Sequence, residues 1–461
     1  MLAGLSLALD IAEGQRQGHA VRTTVIGMRI AEALGLAETE RSALFYALLM
    51  KDLGGSSNAS RFAALFAADD RTLKAELTTV NWPAATQSFR FVARTVAPGH
   101  FWPRRVWQAL AVLARGPEGA RAVVRTRAER GAEIARRLDF PPAAVEAIRA
   151  LDEHWDGRGQ PCGLKGPAIP LLARILGLAQ AVEVYATTYD VTAALSMATA
   201  RRGTWFDPAI VDAFGGFAGD AGFWARLRDG QPLTHLAALE PAGRVVFADD
   251  RQLDVVAGAF ATIIDAKSPW TVQHSTGVAR LAVATGTRLG LGSDAVRDLY
   301  RAALLHDLGK LGVSSLILDK PGRLDDAELA VMRRHTAHTH AILSHAACFH
   351  RLADLAASHH ERLDGAGYHR GAGADRLDVS ARVLCVADAC DALLATRPYR
   401  AGLPPERVLA ILRQGIGTAL DGDCVAALGE CLGGVLDGAD PGHAPAVRLD
   451  RALAEDYEQA A

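Results

Sequence analysis

Apolar positions in this chain recur mostly at spacings of three and four, the period of a helix face. In LDDAELAVMRRHTAHTHAIL the stripe is Met332, His335, Thr339 and Ile342, and Asp325 or Asp326 is the predicted N-cap after Pro321-Gly322. The run that opens at His274 aligns that histidine with Val278 and Leu281. In HRLADLAASHHE, His359 falls four residues after Leu355 and seven after Leu352, and Asp388 falls four after Leu384. The stretch ALLHDLGKLGV, residues 303–313, sets His306, Asp307 and Lys310 inside an apolar, helix-like run. The pattern predicts an all-α chain, with an ionisable side chain at an inward position in each of these segments.

The same pattern occurs twice. HAVRTTVIGMRIAEALGL begins at His19 and HSTGVARLAVATGTRLGL at His274, an offset of 255, and LLMKDLGG mirrors LLHDLGKL at the same offset. Further on, ARILGLAQAVEVY mirrors ARVLCVADACDAL and HWDGRGQP mirrors RLDGAGYH, both at an offset of 208. The first copy therefore carries about 47 extra residues, 255 minus 208, between these blocks. The predicted layout is two tandem helical bundle domains, 1–235 and 249–440, with a tail at 441–461. The join falls in the Pro/Gly-bearing stretch DGQPLTHLAALEPAGRVVFADD.

Composition narrows the function. Across 461 residues, 50 Lys plus Arg nearly balance 52 Asp plus Glu, so the basic excess of a nucleic-acid binder is missing. The six cysteines form no CxxC pair and read as buried thiols of a reducing compartment. No apolar run approaches the ~20 residues of a membrane span, so a soluble, cytoplasmic protein is expected, with neither nucleic acid nor membrane as partner.

A single imidazole on an apolar face is ordinarily a satisfied core residue. Seven buried ionisable groups are different, because each is costly unless paired or metal-bound. His274, His306, Asp307, His335, His359, His360 and Asp388 form such a set on facing helices, as bundle metal sites do. Imidazole mixed with carboxylate suits Fe, Mn, Zn, Co or Ni better than Ca or Mg. Seven ligands suit two divalent metals with one bridging carboxylate, an arrangement that performs in-line displacement at phosphorus. Lys310 could neutralise a phosphate oxygen there. His338, His340, His345, His350 and His369 read as solvated or supporting residues, and Arg333-Arg334 as a solvated helix face.

HDLGK, HHERLDGAGYHRG and VADACDALLATRPYR resemble the HD-GYP family of the HD phosphohydrolase superfamily, bacterial phosphodiesterases of cyclic di-GMP. The resemblance spans about residues 249–428. It implies an HD-type bundle in which His274, His306, Asp307 and Asp388 hold one metal and His335, His359 and His360 a second. Asp307 is the implied bridge and catalytic carboxylate, and Fe or Mn are the foremost metals. It further implies Lys310, Gly367, Tyr368, Arg397 and Arg400 at the substrate, and pGpG or GMP as product. The family's Gly-Tyr-Pro reads Gly367-Tyr368-His369, and Trp270 stands where some relatives carry a glutamate for a third metal. Two other readings are a phosphohydrolase of another nucleotide, which His369 motivates, and a non-catalytic cyclic-dinucleotide sensor.

The first copy keeps His19 and Asp52 but places Lys51, Arg127, Leu151, Asp152 and Gln180 at the other ligand positions, and Gly55 at that of Lys310. Two ligands beside two cations cannot hold a metal pair. This copy is expected to be a regulatory, dimerising or ligand-sensing module, serving a homodimer or a regulatory protein partner, or a scaffold for the catalytic copy.

Overall fold

In both copies the central helix opens at the first histidine, His19–Ala33 and His274–Arg288. The computed structural model describes residues 2–80, 85–114, 116–228, 232–240, 249–396 and 401–437. Arg397, Arg400 and the predicted tail 441–461 lie outside them. The described residues are helical, without strands, as the patterning predicts. Around each central helix pack the helix before it (Leu2–Ala12, Asp250–Asp265), the one after it (Glu38–Leu49, Ser293–Leu305) and the long helix bearing the later block (Leu171–Thr188, Val379–Leu394). Even a small closing turn repeats, with isolated bridges Arg202–Phe206 and Ile416–Leu420.

The extra residues of the first copy fall in the helices Ala59–Phe66, Asp70–Leu77, Ala85–Thr95 and Trp102–Ala114. These bury a small core of their own around Phe66, Leu73, Phe91 and Val96. The main core runs through both copies without a break. The Leu2–Ala12 helix lies on the Leu308–Gly312 turn and the Asp326–His345 helix of the second copy. Gly4 allows this approach, since a Cβ there would sit 2.7 Å from the Ala346 Cα. Asp70 reaches across to buried Lys267 at 3.0 Å and accepts the Ser315 N–H at 2.8 Å. Removing one partner of such a buried pair typically costs ~3–5 kcal/mol, so the copies fold against each other.

The local reading needs three corrections. The helix expected to run through His306 ends at Leu305, and Asp307 precedes a 3-10 turn, Leu308–Gly312. The cause is Gly309, which packs so close to the Asp326–His345 helix that a Cβ would lie 1.9 Å from the His335 carbonyl oxygen. The chain must leave the α-helix for Gly309 N–H to reach Thr339 Oγ1 at 2.9 Å. His359 and His360 likewise sit in the turn beyond a short helix, Ala353–Ala357, and not on a helix stripe. Finally, Cys162 is exposed and Cys348 and Cys431 are partly exposed, whereas Cys385, Cys390 and Cys424 are buried as expected. Asp325 is the N-cap, in a capping box with Glu328.

Candidate metal centre

The seven predicted ligands converge. His335, His359 and His360 present ring nitrogens within 4.8 Å of one another, and so do the donor atoms of His274, His306 and Asp388. Asp307 lies between the groups and divides its oxygens. Oδ2 is 3.6 Å from His274 Nε2 and 3.3 Å from His306 Nε2, while Oδ1 is 3.5 Å from His335 Nε2 and 3.7 Å from His359 Nε2. Asp388 closes the ring, with Oδ1 3.3 Å from His274 Nε2 and Oδ2 3.8 Å from His360 Nδ1.

The backbone fixes which nitrogen faces inward. His306, His335 and His359 each donate Nδ1–H to a carbonyl three residues earlier, Ala303, Met332 and Ala356, at 2.7 Å. That tautomer leaves Nε2 with a lone pair for a cation. His274 is turned by Asp391, whose Oδ2 is 2.6 Å from Nδ1. The repeat could have revealed Asp391, since an offset of 208 returns Glu183, which grips His19 in the same way. Thr339 was also missed. It accepts from Gly309 and donates to the His306 carbonyl at 2.8 Å, tying the His-Asp turn to the helix of His335.

Charge is unevenly distributed. Burial alone would depress His274, but the Asp388 and Asp391 carboxylates raise its pKa to about 10. Burial pushes His335 and His360 down to about 3, so both are neutral donors. Against the same burial, His306 and Lys310 hold Asp307 ionised, well below the usual carboxylate range. Buried His306 Nε2 and Asp307 Oδ1 have no hydrogen-bond partner. Two orphaned inward atoms amid five imidazoles and two carboxylates fit a pair of divalent cations.

At the rim, Lys310 Nζ lies 2.5 Å from Asp307 Oδ2, so the lysine expected at phosphate is engaged with the central carboxylate. Tyr368 stands 4.9 Å from the His360 ring centre and 6.2 Å from that of His335. Gly367 makes that approach possible, because a Cβ would meet the Glu361 Cα at 2.5 Å. Glu361 holds the loop by accepting the Arg370 and Ala372 N–H groups at 2.8 Å each. Arg333, expected to face only solvent, sits 5.4 Å over the Tyr368 ring. His369 lies apart from the cluster, 6.1 Å from the His340 ring.

In the first copy the frame persists without the ligands. A Cβ at Gly54 would meet the Arg127 carbonyl oxygen, just as Gly309 meets that of His335. Asp52, however, is ion-paired to both Lys51 and Arg127, and Arg127 also reaches Asp152 at 3.1 Å. Among the described residues, no group in this copy has metal-binding geometry.

A family model described as HD domain matches residues 59–210 and 258–424. The chain is 41% identical over 433 residues, 94% of either sequence, to the 3'3'-cGAMP-specific phosphodiesterase 3 of Vibrio cholerae serotype O1. It resembles the crystal structure of the V. cholerae cyclic GMP-AMP specific phosphodiesterase V-cGAP3, with a TM-score of 0.64 and 37% identity over 94% of this chain and 96% of that one. A shorter match, 40% over 143 residues, is to the cyclic di-GMP phosphodiesterase response regulator RpfG of Xanthomonas campestris pv. campestris, covering 31% of this chain and 38% of the relative.

Proposed function

The chain belongs to the HD domain family, and from that premise we propose that it is a metal-dependent phosphodiesterase of cyclic dinucleotides, with 3'3'-cGAMP as the preferred substrate. The observation that carries the chemistry is the division of Asp307's two oxygens between two histidine groups. His274, His306, Asp388 and Oδ2 of Asp307 would hold one metal, and His335, His359, His360 and Oδ1 the other. Iron or manganese suit this imidazole and carboxylate mixture. Such a pair supplies charge neutralisation at phosphorus and a water acidic enough to attack it at neutral pH.

The chain's own residues prepare the site. Carbonyls hold three imidazoles with Nε2 turned inward, and Asp391 orients a fourth. Lys310, beside Asp307, is poised to exchange that carboxylate for a phosphate oxygen as negative charge develops. Tyr368, carried on the Gly365–Gly367 turn, forms one wall for a base. Arg397 and Arg400 are assigned to phosphate on the resemblance of RPYR alone. The product is a linear dinucleotide, or mononucleotides after a second cleavage.

The preference for 3'3'-cGAMP is supported by a relative aligned along 94% of both chains. Cyclic di-GMP, the substrate expected from the sequence, is the second reading, favoured by the retained Gly367-Tyr368 and by the match to RpfG. The test is a kcat/KM comparison on metal-reconstituted protein with 3'3'-cGAMP, cyclic di-GMP and cyclic di-AMP. At least a tenfold advantage for 3'3'-cGAMP is expected. The opposite order supports the second reading, and turnover of none of the three overturns both.

A further inference from the structure

Beneath the insertion, the first copy has a cavity of about 1360 Å³, open to solvent, where its metals would have been. Ordinary small-molecule pockets run to roughly 300–1,000 Å³, so a dinucleotide is not too large. The wall is apolar and comes from the insertion, with Phe62, Leu65 and Val112. The floor is polar and comes from the bundle. Lys51 and Arg127 stand there at the positions of His306 and His335, both ion-paired to Asp52, so the charge left for an anion comes from the other lining cations. Eight lysines and arginines line the cavity against five aspartates and glutamates, an excess of three positive charges.

Several buried polar atoms of this lining have no partner, among them Arg201 Nη1, Gln180 Oε1 and His154 Nδ1. Arg201 is the most telling. It is only 8% exposed, has no carboxylate within ion-pair reach among the described residues, and is held by Tyr185 Oη at 3.3 Å and by the Trp205 ring, 4.2 Å away. A buried guanidinium with an empty donor is costly unless an anion meets it. Its neighbours Trp205 and His154 are stacked rings 4.1 Å apart, and Trp155 lines the same cavity. His154 and Arg201 already cover the Trp205 ring, so the indole left for a planar base is that of Trp155, and the charge and unsatisfied donors beside it describe a receptor for a phosphate joined to such a base.

We propose that the first copy binds a cyclic dinucleotide in this cavity without cleaving it, which rests on the substrate class proposed above. The test uses the full chain carrying Asp307→Ala, which removes the bridging ligand of the second copy, and titrates it calorimetrically with 3'3'-cGAMP, cyclic di-GMP and inorganic phosphate. One nucleotide equivalent per chain is expected. Adding Arg201→Gln should weaken it at least tenfold, and so should Ala181→Phe, which fills the cavity without changing charge. Either variant that keeps a wild-type melting temperature decides the matter. No nucleotide binding to the Asp307→Ala chain overturns the proposal, as does binding that folded variants leave intact or that phosphate alone reproduces. Turnover by the wild-type chain reports separately: hydrolysis without binding in the first copy sinks only this inference, and binding without hydrolysis sinks only the catalytic reading.

Discussion

At Asp307 and at Asp52 one helical frame delivers a buried carboxylate to equivalent places, and the neighbours decide what it can do. Around Asp307 stand four imidazoles with Nε2 turned toward its two oxygens, and Lys310 beside Oδ2. Around Asp52, Lys51 and Arg127 satisfy the charge outright and, despite burial, bring its pKa down to about 2. Features that shape the backbone survive in both: the close glycines Gly54 and Gly309, the gripped histidines His19 and His274, and the loop carboxylates Glu153 and Glu361. Residues that shape the backbone therefore persist in the first copy where most of the candidate ligands do not.

The largest break in this pairing should come from Asp307→Ala against Asp52→Ala. The first would remove the carboxylate proposed to serve both metals, worth several kcal/mol of transition-state stabilisation, so turnover should fall by roughly 10³-fold or more. The second should leave kcat within a few-fold. Steady-state assays of both variants, with circular dichroism to confirm folding, check this, and equal losses would mean that activity is shared.

Next in size is Glu183 of the first copy. Burial would raise its pKa, but His19 and Arg22 bring it down to about 2 from 4.5. A depressed carboxylate stabilises the fold above its unfolded pKa and loses that contribution as pH falls, here between about 4.5 and 2. The contribution is at most about 3 kcal/mol. Glu183→Gln should lower stability at pH 7 and flatten the acid limb of a melting-temperature profile. An unchanged profile would show that the His19–Glu183 clamp contributes nothing.

Asp391→Asn sharpens the pairing from the other side. Losing the carboxylate that orients a metal-binding histidine typically costs ~10–100-fold in metal affinity. Competition with a chelator should show that loss in the second copy, while the corresponding change at Glu183 should leave metal affinity alone. The smallest effect concerns Lys51→His with Arg127→His. These restore two ligand types, but Leu151, Asp152 and Gln180 still leave the set incomplete, so elemental analysis should find no added metal.

The convergence of the seven candidate ligands and the repetition of the helices could be read from sequence, because buried ionisable groups and repeated spacings are rare enough to stand out. Less legible was how the ligands are presented. His306, His359 and His360 were placed on helix stripes, yet each sits where a helix has ended. In the case of His306, the contact that ends it, Gly309 against the His335 carbonyl, spans distant segments and leaves no local periodicity. Asp391 was missed although it lies three residues after Asp388, and its counterpart Glu183 lies three after Gln180. The Arg333–Tyr368 contact was missed for a similar reason, since a helix residue meets a loop residue 35 positions later.

The most direct test is anomalous diffraction from crystals of the metal-loaded full chain, collected at the metal edge. Two peaks per chain are expected, one on each side of the Asp307 carboxylate, with none beside Asp52. A single peak at Asp307, or any peak between Asp52 and His19, would contradict a dinuclear centre confined to the second copy.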